Sequence, residues 1–142
     1  MISDQLVSFC KRLTQNTDEN NIIWEPISSE ALRRDGFPDL IPQLLTRIWE
    51  NEFTHLLLDN SFHCHHKSGI IALIRVDMES GRDGSHHDHF ILAIQIQKNS
   101  MVFFYEEPYL QEPCSKLYNA ILNAINAHIS LPSDLYEFMS FD

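Results

Sequence analysis

The sequence predicts an α+β fold: an antiparallel meander sheet of three to five strands, with N-terminal and C-terminal helices packed on it. Three observations lead there. Between residues 62 and 105, β-branched and apolar runs alternate with short turn sequences, the pattern of strands joined without crossovers. On either side of this stretch, apolar residues recur at helical spacing. The chain has 142 residues, 44% of them hydrophobic and 21% charged, which fits one domain, 1–142, with a core of its own.

The first helix is expected to start at Ser3 as its cap, with Ile2, Leu6, Phe9, Cys10 and Leu13 along one stripe. After the polar break Asn16 to Asn21, Ile22-Ile23-Trp24-Glu25 reads as a short strand stopped by Pro26. Residues 28 to 38 read as a loop, with room for a short helix before Gly36. Asp39 then caps a helix with Pro42 in its first turn and Leu40, Ile41, Leu44, Leu45, Ile48 and Trp49 as its stripe. Leu56-Leu57-Leu58 fits either helix or strand.

Phe62 to His66 reads as an edge strand, turning through Lys67-Ser68-Gly69 into the apolar strand Ile70 to Val76. Asp77 to His87 reads as a loop, Phe90 to Gln97 as the next strand and Met101 to Tyr105 as the last. Strand 70–76 shows no polar alternation, so both its faces are expected to be covered, either by helices on both sides or by a second subunit in a homodimer. Pro113 opens an amphipathic helix through Cys114, Leu117, Tyr118, Ile121, Leu122 and Ile125. The tail after Pro132 carries Leu135, Tyr136, Phe138, Met139 and Phe141 and is expected to dock as a final helical turn.

Twenty acids against ten bases give a formal net charge of −10. Such a surface repels DNA, RNA and anionic membranes and attracts basic proteins. The eight histidines gain charge near their ordinary pKa of ~6.5, so charge-driven binding should weaken below about pH 6. The start of the chain has no basic region followed by an apolar one, and the longest aliphatic run, Ile70 to Ile74, is far short of the roughly 20 residues that span a bilayer. A cytoplasmic protein is expected. Cys10, Cys64 and Cys114 lack metal or redox spacing and do not suggest disulfides.

Two histidine clusters carry the conspicuous chemistry: His63-Cys64-His65-His66 and His86-His87-Asp88-His89. Both contain zinc-ligand residue types. They fall at opposite ends of strand 70–76, roughly 23 Å apart at ~3.3 Å per residue, too far for one metal. Alternation gives each cluster two ligands per face, His63 with His65 and His87 with His89. A structural zinc needs four. A further ligand such as His55 has no support in the sequence. The clusters are therefore read as exposed loop and edge-strand histidines, with no metal and no cofactor.

No catalytic set emerges either. His87 and Asp88 are neighbours on a strand and point to opposite faces. Cys64, between His63 and His65, lacks an orienting third group and an oxyanion hole. Gly81-Arg82-Asp83-Gly84 is too short and too acidic to cradle a pyrophosphate. The aromatic run Phe103-Phe104-Tyr105 is followed by Glu106-Glu107, which repels a phosphate backbone. The acids are more coherent. If the meander holds, Asp77, Glu79, Asp83, Asp88, Glu106 and Glu107 gather at one end of the sheet, a docking patch for lysine and arginine side chains.

In its opening helix, in Ile22-Ile23-Trp24-Glu25, in the three-strand meander and in the closing Leu117-Tyr118-Asn119-Ala120-Ile121 helix, the chain resembles small acidic bacterial toxin-immunity proteins. The resemblance implies a binding protein that occludes a basic partner, such as a nuclease toxin. Acidic dimeric secretion chaperones are similar in build. A histidine-rich metal-dependent enzyme is the alternative of a different class.

Overall fold

The computed structural model describes residues 2–48, 53–128 and 137–141. In chain order the elements are α1 (Ile2–Asp18), β1 (Glu25–Pro26), α2 (Ser29–Asp35), α3 (Leu40–Arg47), β2 (Thr54–Leu56), β3 (Phe62–His66), β4 (Gly69–Glu79), β5 (His86–Gln95), β6 (Val102–Tyr105) and α4 (Pro108–His128). The strands form one six-stranded antiparallel sheet in the order β1-β3-β4-β5-β6, with β2 also paired to β4. The fold is α+β, with helices packed on the sheet as the sequence predicts.

Local chemistry explains most element ends. α1 turns Leu6, Cys10, Leu13 and Thr17 inward. It stops at Asn20, whose positive φ of 60° lets the Asn21 N–H reach back to the Asn16 carbonyl at 2.8 Å. Ser3 lies inside this helix and does not cap it. The Ser28 hydroxyl caps α2 by accepting from the Ala31 N–H at 3.0 Å. Gly36, at φ 92°, ends α2 in the left-handed conformation that glycine adopts without strain. The following Phe37 N–H bonds the Leu32 carbonyl at 2.7 Å, and the Phe37 ring is buried. Asp39 occupies the cap position of α3, but its side chain makes no capping bond there.

The pleat of β4 divides the core in two. Ile71 and Leu73, with Phe62, Cys64, Phe90 and Leu92 from β3 and β5, pack under α1 and α4. Ile70, Ala72, Ile74 and Val76, with Ile91 and Ala93, pack under α2 and α3. Helices therefore cover both faces of the central strands, one of the two arrangements expected from the unbroken apolar run. Trp24 ties the first layer together: its indole N–H donates to the Thr17 hydroxyl at 2.9 Å.

Several boundaries differ from the sequence reading. Residues 22–24 form no strand; β1 is Glu25–Pro26, where an edge position tolerates a residue without an N–H. Thr54–Leu56 is a strand and Leu58–Asn60 a 3-10 turn, which resolves the ambiguous leucines. β4 and β5 run well into the predicted loop, pairing Asp77 with Asp88 and Glu79 with His86. α4 begins at Pro108, so Pro113 sits inside it. A proline at the first helical position is preorganised, whereas Pro113 removes one helical hydrogen bond. The tail is not docked as expected: residues 137–139 form a helical turn, but Phe138 is 86% and Phe141 104% exposed. Trp49, Leu135 and Tyr136 lie outside the described residues. No helix among the described residues is long and apolar enough to cross a membrane.

Candidate functional site

Two places carry functional side chains. The first is the end of the sheet where β4 and β5 project past the core. Asp77 faces Asp88 across the ladder, a like-charged pair that would repel without counter-charges. Both receive one. The Arg75 guanidinium donates two bonds to the Asp88 carboxylate, at 2.8 and 3.1 Å, while lying 5.4 Å from the centre of the Tyr118 ring. His86 Nδ1 lies 3.0 Å from the Asp77 carboxylate. The 80–85 turn is closed by Asp83, which accepts from the Ser85 N–H at 2.9 Å. Its bonds with Ser85 hold the Asp83 carboxyl below the usual range.

Glu106 and Glu107 return to this same end, because Tyr105 pairs with Leu92. The six predicted residues do not form one flat patch, however. Asp77, Glu79 and Asp88 share the face that carries Arg75. Asp83 is at the tip. Glu106 reaches His89, at 3.4 Å, on the opposite face. There Arg47, Ile48, Thr54, Val76, Met78, His89, Ile91 and Glu106 line a cleft of about 230 Å³. Glu107 is exposed just ahead of α4. Among the described residues, Glu79, Asp83 and Glu107 make no ion pair.

The second place is one edge of the sheet, 13 Å or so along the strands from His89 by the register of β4, at ~3.3 Å per residue. His63 and His65 alternate onto one face of β3, with ring centres 5.9 Å apart. His63 lies between Ala72 of β4 and Glu25 of β1. It is fully buried, and neither ring nitrogen has a hydrogen-bond partner among the described residues. Its Nε2 is 3.9 Å from the Glu25 carboxylate, beyond hydrogen-bond reach. Burial pushes the His63 pKa down, with Glu25 opposing only in part, so its ring is neutral at pH 7.

The end of α2 completes this group. Asp35 is its last residue, and its Oδ2 lies 3.1 Å from His65 Nε2. Its Oδ1 accepts from Arg34 at 3.2 Å. The bonds from Arg34 and then His65 hold the Asp35 carboxyl below the usual range. One ligand atom from each of Asp35, His63 and His65 lies within 4.8 Å of the others. The sequence shows the Asp35-Gly36 helix end, but not that it lands on β3. That contact, and the seating of Glu25 beside His63, depend on long-range pairing.

The Cys64 and Cys114 thiols are poor nucleophiles, whereas contact with Cys114 lowers the Cys10 pKa. Burial pushes Cys64 up to about 12, and Cys10 and Cys114 are buried in the α1–α4 layer. Contact with Cys10, and then burial, raises the Cys114 pKa. No family model matches the sequence, and neither a curated protein nor a solved structure matches the chain.

Proposed function

We propose that this chain is an acidic protein-binding module whose docking surface is the projecting end of the sheet. The observation that carries the reading is the division of labour among its acids. Asp77 and Glu106 sit beside His86 and His89, and the Arg75 guanidinium on Asp88 relieves the repulsion between Asp88 and Asp77. Glu79, Asp83 and Glu107 make no such pair among the described residues. The cleft on the opposite face is lined by Val76, Met78 and Ile91 together with Arg47, His89 and Glu106. With a net charge of −10, long-range attraction raises the encounter rate with basic partners.

The finer form of the reading is an immunity-type inhibitor that occludes the basic active site of a toxin. It rests on the charge and on the build of the chain, and growth rescue on co-expression with a neighbouring toxin gene tests it. The docking surface itself is tested by position. Two triple charge reversals of identical net charge are compared, Glu79→Lys/Asp83→Lys/Glu107→Lys at the sheet end and Asp4→Lys/Asp18→Lys/Glu112→Lys on α1 and α4. Poly-lysine binding at low salt should fall at least about tenfold more in the first. Equal losses would show that only total charge matters and would end the proposal.

A further inference from the structure

We propose that Asp35, His63 and His65 bind a divalent first-row cation of the zinc type, with Glu25 placed to supply a fourth ligand. The sequence argues against a metal here because alternation delivers only two ligands to this face of β3. The structure adds a carboxylate from α2 and places a second one beside the pair.

Geometry and chemistry agree on the ligand. A tetrahedral ion with bonds of about 2.1 Å sets its ligand atoms about 3.4 Å apart. Asp35 Oδ2 and His65 Nε2, at 3.1 Å, already span one such edge. His63 Nε2 and the Glu25 carboxylate, at 3.9 Å, approach another. Closing the set from within 4.8 Å takes side-chain movements of about 1 Å. Two imidazoles and one or two carboxylates suit zinc and its neighbours better than calcium or magnesium, which favour all-oxygen sets.

The independent observation is His63. A fully buried ring with two unpartnered nitrogens is rare in folded proteins, where buried polar atoms are bonded. Turned toward Asp35, His65 and Glu25, it has a ligand's surroundings. Arg34 is a cation beside the group. It holds Asp35 Oδ1 at 3.2 Å and so orients the carboxylate with Oδ2 toward the histidines, as outer partners of metal ligands do. In this site the metal ion replaces the direct contact between Asp35 and His65. It joins the end of the seven-residue α2 to the sheet. His63 is fully buried and Asp35 partly so, which leaves little room for a substrate, so the role that fits is a structural staple. The docking surface stands at the far end of β4, and neither proposal depends on the other.

The test uses the full untagged chain, stripped with a chelator and titrated calorimetrically with zinc chloride. One zinc should bind per chain and raise the thermal midpoint. Cobalt(II) in its place should show the visible bands of a four-coordinate ion. His65→Ala, which removes a ring 51% exposed, and Asp35→Asn should each weaken binding by at least about tenfold. His86→Ala/His87→Ala should leave it unchanged. Circular dichroism confirms that each variant is folded. Absence of saturable binding, or binding lost with His86 and His87 and kept in His65→Ala, would overturn the proposal.

Discussion

A buried ring whose nitrogens lack partners costs about 1–3 kcal/mol in lost solvation, and among the described residues His63 is such a ring. Replacing it with an apolar side chain of similar size removes that cost. His63→Leu should therefore stabilise the chelator-treated protein by about 1 kcal/mol and abolish its thermal response to zinc, read from paired melts with and without the metal. A purely structural histidine would lose stability on the same change. Gly69 shows the opposite sensitivity. A Cβ there would stand 2.0 Å from the Gln95 carbonyl oxygen and 2.5 Å from that of Ile96. Both contacts are backbone and cannot swing aside. Gly69→Ala should destabilise by about 3 kcal/mol, measured by denaturant unfolding. In the sequence Gly69 is visible as a turn residue. That it also abuts the end of β5 is a tertiary fact.

Among the elements, those written in apolar side chains were legible. The core of β4, the inward face of β5 and the stripes of α1 and α4 follow from residue spacing. What stayed hidden was held by polar contacts. Asp77, His86 and Asp88 have the composition of a loop, yet they form strand, where the Arg75–Asp88 bonds and the His86–Asp77 contact support the ladder. The early start of α4 was hidden too, since a chain reader stops at Pro113. Of the candidate site, the convergence of acids at one end of the sheet followed from strand order. Their division between two faces needed the register. Tyr118 links these elements. Its hydroxyl donates to the Asn60 carbonyl at 2.8 Å, and its ring lies beneath Arg75. Tyr118→Phe keeps the ring and removes that bond, so it should cost about 1 kcal/mol in the same unfolding assay, without weakening poly-lysine binding.

For the molecule as a whole, the two-sided core hides every thiol. Cys10, Cys64 and Cys114 are all buried, and burial holds Cys64 at about 12, so little thiolate forms near neutral pH. Iodoacetamide should leave the native chain unlabelled and add three groups after unfolding, as mass spectrometry would record. Rapid labelling of one native cysteine would reveal a local opening of its layer.

Helices lie over both broad sides of the sheet, which changes how another macromolecule can meet it. A visitor finds no bare β surface at the centre to lie flat upon. It has to approach from the perimeter, at the projecting hairpin or along a strand border, where contact is narrow and a few side chains decide the outcome. Under the proposed reading, recognition is a matter of the rim, and substitutions on the outward side of α1 should leave it largely untouched.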